Sequence, residues 1–153
     1  AALVEAVVIE GGLDLLDDTF ERPPATSEQV LDPAGFLAGQ PATAVPAPQP
    51  TGGGTVVSSG AFGAVDLRML EIVGDPAGAF SAFDGHLLPV NGFGGGQYVS
   101  WISPTGDDCI TIHVVGDAGR GAAEVGRILS EWAPAVGAQV TEAFGMQVAT
   151  SCV

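Results

Sequence analysis

Alternating apolar and polar residues are clearest in two segments, Gln97–Ser103 and Cys109–Val115, and they predict a β-hairpin. Both segments are rich in the β-branched and aromatic residues that strands favour. The intervening PTGDD supplies proline, glycine and aspartate, which is typical of a longer hairpin turn. With a period of two, one face of the second strand carries Ile110, Ile112 and Val114, and the other carries Cys109, Thr111, His113 and Val115. Since neither face is purely polar, we expect the hairpin to be covered on both sides.

The first part of the chain has helical spacing. Apolar residues over Ala1–Phe20 predict one helix, and the pair Gly11-Gly12 marks a point where it can divide into two. The pair Pro23-Pro24 then ends it.

A short helical turn and an extended connection follow. Thr26 is the predicted N-cap of the turn, Gln29 stands at the capping-box position, and Pro33 is expected to end it. Residues 41–54, PATAVPAPQPTGGG, are rich in proline and glycine and cannot form a helix, so we expect an extended surface connection there, with room for a short edge strand. Because neither side of this connection would have a sufficient core alone, we predict one domain over residues 1–153.

Helical spacing returns on both sides of the predicted hairpin. Gly60–Val73 predicts a helix with Phe62, Val65, Met69, Ile72 and Val73 on its apolar side and Asp66, Arg68 and Glu71 on another. Asp75 is the expected cap of a second helix that ends near Pro89. The clearest helix opens at Asp117 or Gly119 and closes at Pro134 and Gly137; its predicted apolar stripe is Ala122, Val125, Ile128, Leu129 and Trp132.

The final segment, Gln139–Val153, predicts one or two strands. The predicted fold class is therefore α+β: N-terminal helices, then an antiparallel hairpin, a helix and C-terminal strands packed as one sheet with helices on one face.

Charge and hydropathy restrict the partners. Hydrophobic residues make up 46% of the chain, which excludes general disorder, and no apolar run is long enough to span a bilayer. The formal net charge is -14, with four arginines and no lysine. We therefore expect no binding to nucleic acid or to anionic membranes. The acidity has two interpretations, salt adaptation or the composition that a GC-rich genome produces.

Cys109 and Cys152 are too few to bind zinc on their own. In an exported protein they would form a disulfide, and in a reducing cytosol they would be buried thiols.

Candidate chemistry is sparse. His113 lies among apolar residues and is predicted to be packed, while His86 is placed near the end of a helix, where a cation suits the helix dipole. The acidic groups Asp14, Asp17, Asp18 and Asp107, Asp108 do not follow the EF-hand pattern, and we interpret the first as a solvated helix face and the second as turn residues.

The glycine-rich segments do not match the sequence patterns of known phosphate-binding loops. GFGGGQ precedes a predicted strand, whereas the dinucleotide fingerprint follows one, so we interpret it as a tight turn that needs positive φ or close approach. GRGAAEVGR lacks the spacing and lysine of a P-loop, and there is no GxSxG elbow. The residues therefore predict no catalytic residue, no cofactor site and no metal site in this chain.

Three segments nevertheless resemble a family of exported, largely actinobacterial proteins. FERPPATSEQVLDP (Phe20–Pro33) is similar to that family's F-x-x-P-P-x-S-T-E-Q-V-L-H-P, and GFGGGQYVSW (Gly92–Trp101) to its G-W-G-G-D-R-Y. Cys109, the pair Trp132-Ala133 and the pair Ser151-Cys152 match its closing pattern. Departures from the family are Asp32 for its histidine, Phe93 for its tryptophan, and Gly96-Gln97 for its Asp-Arg.

The resemblance implies a gluzincin-like zinc metallopeptidase, whose His-Glu-x-x-His helix and further glutamate ligand precede these motifs. None of that segment is present here, and Glu5 does not match the further glutamate because its distance from TSEQ differs. We therefore expect a secreted or cell-envelope protein of which this chain is the C-terminal, non-catalytic part, zinc belonging to the parent protein. The chain begins within a helical pattern, which favours a piece of something longer or a processed form. The alternative is an extracytoplasmic binding domain without enzymatic activity, with a peptide or protein partner.

Overall fold

A computed structural model describes residues 2–41, 43–74, 92–117 and 120–153. The helices are α1 (Ala2–Glu21), α2 (Ser27–Leu31), α3 (Pro33–Leu37), α4 (Ala64–Gly74) and α5 (Arg120–Trp132), and a 3₁₀ helix (Ala133–Val136) follows α5. The strands are β1 (Thr55–Ala61), β2 (Phe93–Ile102), β3 (Asp108–Gly116), β4 (Gln139–Ala143) and β5 (Met146–Cys152). This arrangement is the predicted α+β fold.

The five strands form one antiparallel sheet in the order β1-β2-β3-β5-β4. The predicted hairpin is its β2–β3 pair, in which Tyr98 lies opposite Ile112 and Trp101 opposite Cys109. Both strands are longer than predicted. β2 begins at Phe93 and includes the glycine run before Gln97, and β3 extends one residue further at each end, from Asp108 to Gly116.

One face of the sheet packs on α4 and α5. Ile112 and Val114 of β3 contact a buried set that includes Leu67 of α4 and Val125 and Ile128 of α5. As β-branched residues at alternate positions of β3 all point to this side, the face forms the main core. Ala122, predicted to belong to the apolar stripe of α5, is exposed.

The extended connection lies along the opposite face. Val99, Trp101 and Cys109 form a small buried cluster there. A Cβ on Gly54 would lie 2.8 Å from Cδ1 of Trp101, so the connection runs directly over the indole ring. The prediction of a hairpin covered on both sides is therefore confirmed, with helices on one face and proline-rich backbone on the other.

The helices before the sheet begin and end close to the predicted positions. α1 breaks at Gly12, which has φ 69°, and ends before Pro23. The amide of Gln29 donates to the Thr26 hydroxyl at 3.2 Å, as expected of the cap. α2 ends at Leu31, before Pro33 as predicted. The helix α3, which was not predicted, follows at once: Asp32 caps it, and Pro33 is its first residue, where a missing amide hydrogen costs nothing.

Two predictions between residues 55 and 91 need correction or lie outside the described residues. The helix expected from Gly60 begins at Ala64, because Thr55–Ala61 is the edge strand β1. Within α4 the expected faces are wrong, since Arg68 is buried and Met69 is exposed. The helix expected between Asp75 and Pro89 lies outside the described residues.

The last two strands form a hairpin, as one of the predicted alternatives had it. Phe144 and Gly145 at its turn both have positive φ, 54° and 75°. Cys109 on β3 and Cys152 on β5 are directly opposite and form a disulfide.

Candidate functional site

The described histidine has a structural partner. His113 Nδ1 lies 3.0 Å from the carbonyl oxygen of Pro46, so the ring fastens the extended connection to β3. His113 is thus packed, as predicted. His86 lies outside the described residues.

The acidic residues that suggested calcium are in two settings. Asp14, Asp17 and Asp18 are exposed on α1. In the β2–β3 turn, Asp107 accepts hydrogen bonds from the hydroxyls of Ser103 (2.9 Å) and Thr105 (2.6 Å). These bonds lower the pKa of Asp107, as hydrogen bonds to a carboxylate do. Asp107 is therefore a turn residue, as predicted, and its Oδ2 accepts both bonds.

The glycine-rich segment allows close contact within the fold. Gly92 has φ 79° and forms the predicted turn. A Cβ on Gly95 would lie 2.6 Å from the carbonyl oxygen of Thr43, and one on Gly96 would lie 2.7 Å from that of Phe62. Two backbone segments therefore lie against β2 where any side chain would separate them, which confirms the expected close approach.

The two principal motifs of the resemblance are each bonded to the segment that follows α3. Thr43 in this segment donates its amide hydrogen to the carbonyl of Gly94 in the second motif at 3.0 Å. In the first motif, the side-chain amide of Gln29 on α2 donates to the carbonyl of Gln40 at 2.7 Å. Ser27 at the start of α2 accepts from the amide of Ala64 at 2.9 Å. The first motif is thus held to α4 through a side chain, and the segment after α3 is held to the sheet through its backbone.

Glu28 is the most perturbed acid of this junction. Partial burial, with the negative charges of Asp117 and Asp32 nearby, raises its pKa to about 7. A carboxyl group with that pKa can exchange a proton near neutral pH. The raised pKa also makes the stability of the fold depend on pH near neutrality.

A groove of about 460 Å³ opens beside this junction, between the second half of α1 and α3. Leu15, Phe36 and Leu37 provide its apolar surface, and Asp18 and Arg22 stand among its polar lining residues. The volume is in the range that takes a few side chains or a small molecule.

α1 itself exposes large apolar side chains. Val4, Val8, Ile9, Leu13 and Phe20 are exposed, and Ile9, Leu13 and Phe20 retain 77%, 69% and 78% of their accessible surface. We call these five residues the α1 surface. Several large exposed apolar side chains on one short segment favour a contact site.

One charged cluster was not foreseen as a unit. Glu71 of α4 pairs with Arg68 and accepts from Arg127 Nη2 of α5 at 2.7 Å. Arg127 also contacts Glu124 and Glu131 at 2.7 and 2.5 Å, and these bonds raise its pKa. The sequence signal was the helical spacing of Glu124, Arg127 and Glu131, whereas the connection to α4 depends on tertiary packing. The cluster joins two helices and is structural.

The described residues do not fit a zinc site. Both cysteines are in the disulfide, and His113 Nδ1 is engaged by Pro46. Across the described ranges, no group of three or more histidine, cysteine, aspartate or glutamate side chains converges as metal ligands would. Glu5 is exposed on α1.

Comparison of the chain with protein-family models, curated proteins and solved structures finds no match. The resemblance to zinc metallopeptidases thus stays a prediction. Within the described part of the chain, no helix is both long and apolar enough to cross a bilayer.

Proposed function

We propose that this chain is the non-catalytic C-terminal structural part of a secreted or cell-envelope protein that resembles zinc metallopeptidases. The observation that carries the proposal is that residues of both motifs are engaged in structural contacts. Thr26 and Gln29 cap and anchor α2, and Gly94–Gly96 accept neighbouring backbone at close range. Both motifs are thus used to hold the fold together.

In this proposal zinc belongs to another part of the parent protein, and this chain shapes and supports that part. Two measurements test it. Metal analysis of the purified chain after incubation with zinc should find no stoichiometric ion, and the chain alone should not hydrolyse peptides. A single tightly bound zinc per chain would contradict the proposal. So would the absence of a His-Glu-x-x-His helix from the reading frame that encodes the chain.

Export is the part of the proposal that the disulfide supports, because oxidising compartments are where such bonds persist. Thiol alkylation of the protein taken directly from its native cells tests it. We expect Cys109 and Cys152 to be protected from alkylation until a reductant is added. Free thiols in the native cells would place the protein in a reducing compartment.

A second candidate function is an extracytoplasmic binding domain, and the α1 surface favours it. Its five large apolar side chains are exposed to water, which is unfavourable. A partner that covered them would gain about 25 cal/mol for each Å² of apolar surface buried. The two functions agree on the absence of catalysis within the chain. They differ in whether α1 contacts the parent protein or a separate partner.

A further inference from the structure

Exposed apolar side chains are concentrated at the start of the chain. Among the described residues fourteen large hydrophobic side chains are exposed, and seven of them precede residue 38. The seven are the five of the α1 surface together with Val30 and Leu37. The main core is elsewhere, between the sheet and the helices α4 and α5. The N-terminal helices therefore present half of the exposed large apolar side chains that a partner could bury.

The spacing on α1 suits a helical partner. Val4 and Val8 are one turn apart, and Leu13 and Phe20 are two turns apart beyond the break at Gly12. Because α1 breaks at Gly12, each half of it runs about 15 Å. Ridges of side chains at such spacing fit into the grooves of a second helix. The groove lined by Leu15 and Phe36 has room for side chains of a helix that crosses α1.

Charge decides the kind of helix. Residues 2–33 contain eight acidic residues and one arginine, a net charge of -7, which is half of the -14 of the chain. The six acids on α1 itself are Glu5, Glu10, Asp14, Asp17, Asp18 and Glu21, and all are exposed. An apolar surface bordered by acids is complementary to an apolar face bordered by lysine or arginine.

A second copy that met this one through α1 would not supply that complement. The three arginines whose side chains the structure describes all pair with acids of their own chain: Arg22 with Asp18, Arg68 with Glu71, and Arg127 with three glutamates. Two copies meeting through α1 would oppose acid to acid, and like charges across an interface are repulsive.

We propose that the α1 surface and the groove beside it dock a basic amphipathic helix of a partner protein. The inference rests on the binding role offered above as the second candidate function. It is independent of any metal chemistry in a parent protein.

A designed peptide tests the inference directly. The probe is a helix about five turns long with leucine on one face and lysine on the other. One control peptide carries glutamate in place of lysine, and another has the leucine and lysine order scrambled. We expect the probe to bind the wild-type chain, with hydrogen–deuterium exchange slowed in α1 and α3, and both control peptides to bind at least about tenfold more weakly.

Matched variants separate the α1 surface from general attraction to an acidic protein. L13S/F20S removes two exposed leucine and phenylalanine side chains and should weaken binding of the probe at least about tenfold. V56S/V57S removes comparably exposed side chains from β1 and should leave binding unchanged. D14N/D17N should reduce the salt dependence of binding.

Three results would overturn the inference. They are equal binding of the scrambled peptide, equal loss of binding in the β1 variant, and a dimer of the wild-type chain that L13S/F20S dissociates. Tight binding of the glutamate peptide through α1 would also overturn it while leaving the binding role in place. If the chain binds none of the three peptides, the support is lost both for the docking of a basic helix and for the binding role itself.

Discussion

Cys109 and Cys152 lie directly opposite each other on β3 and β5, so their disulfide reinforces a pairing that the sheet already makes. The bond closes a loop with a sequence separation of 43 residues, which contains α5, the 3₁₀ helix and β4. A covalent link across that loop limits the unfolded chain more than the folded one.

Replacing both cysteines by alanine should therefore lower the free energy of unfolding by about 4 kcal/mol, the value that chain entropy assigns to a loop of this length. Urea denaturation of the wild type and of C109A/C152A checks it. Dithiothreitol should destabilise the wild type to the level of the variant and leave the variant unchanged. An equal response of both proteins to the reductant would contradict the prediction.

Glu28→Gln should stabilise the chain at pH 8 and have little effect at pH 5. The folded-state pKa of Glu28 is raised from 4.5 to about 7. Stability from this group is complete below the unfolded pKa and is lost as the pH rises through the folded value. The neutral amide avoids that loss.

We expect the gain at pH 8 to be about 1 kcal/mol, well below full conversion of the shift, because Glu28 is only partly buried. Chemical denaturation of wild type and E28Q between pH 5 and pH 8 measures the difference. E10Q, at an exposed position of α1, is the control and should show no comparable pH dependence. A constant difference across the range would refute the role of Glu28.

Glu71→Gln should cost more stability than Glu124→Gln although both side chains contact Arg127. The side chain of Glu71 is 13% exposed and forms an ion pair with that of Arg68, which is 9% exposed. The side chain of Glu124 is 39% exposed. Removing one partner of a buried pair costs about 3 kcal/mol, and an exposed pair contributes less than about 1 kcal/mol. Thermal and urea unfolding of E71Q and E124Q give the two values, and equal losses would show that the burial of Glu71 does not matter.

Gly95→Ala should be destabilising by about 1–3 kcal/mol because its Cβ would meet the Thr43 carbonyl. Gly126→Ala is the matched control. Its Cβ would lie 3.8 Å from the nearest atoms, in the Gln147 side chain, and alanine in the helix interior adds about 0.5–1 kcal/mol. Unfolding midpoints should therefore move in opposite directions, and a stabilised G95A would exclude the close approach.

Phe144→Asn should stabilise the β4–β5 hairpin by about 0.5–1 kcal/mol. Phe144 has φ 54° and is wholly exposed, so its ring makes no contact that offsets the left-handed backbone, which asparagine adopts more readily. Phe144→Ala is the control: it removes the ring and keeps the unfavourable backbone, so we expect no gain. A loss of stability in F144N would mean that the ring contributes to the fold.

The sequence predicted the parts of this fold that depend on local chemistry. The β2–β3 hairpin follows from alternating β-branched residues around a polar turn, and the start of α2 follows from Thr26 and Gln29. The end of α2 before Pro33 was predicted, whereas the start of α3 at the same proline was not, because a proline can follow one helix and also begin the next. Local patterns thus suffice where the partner of a residue is close in sequence.

Other features depend on tertiary contacts. β1 was not predicted because an exposed edge strand such as TVVSSGA lacks a buried face to impose alternation. Arg68 was placed on the polar side of α4, and only its pairing with Glu71 explains its burial. The groove between α1 and α3 could not be foreseen, since it forms where Pro33 turns the chain back toward α1.

The order of strands also constrains the way the protein assembles. Among the described strands β4 pairs with β5 alone, so β4 can join the sheet only through β5. The pairing of β5 with β3 is what places the two sulfur atoms opposite each other. Oxidation of the thiols therefore reports when β3 and β5 pair, and quenched-flow alkylation of a reduced, refolding sample would time that step.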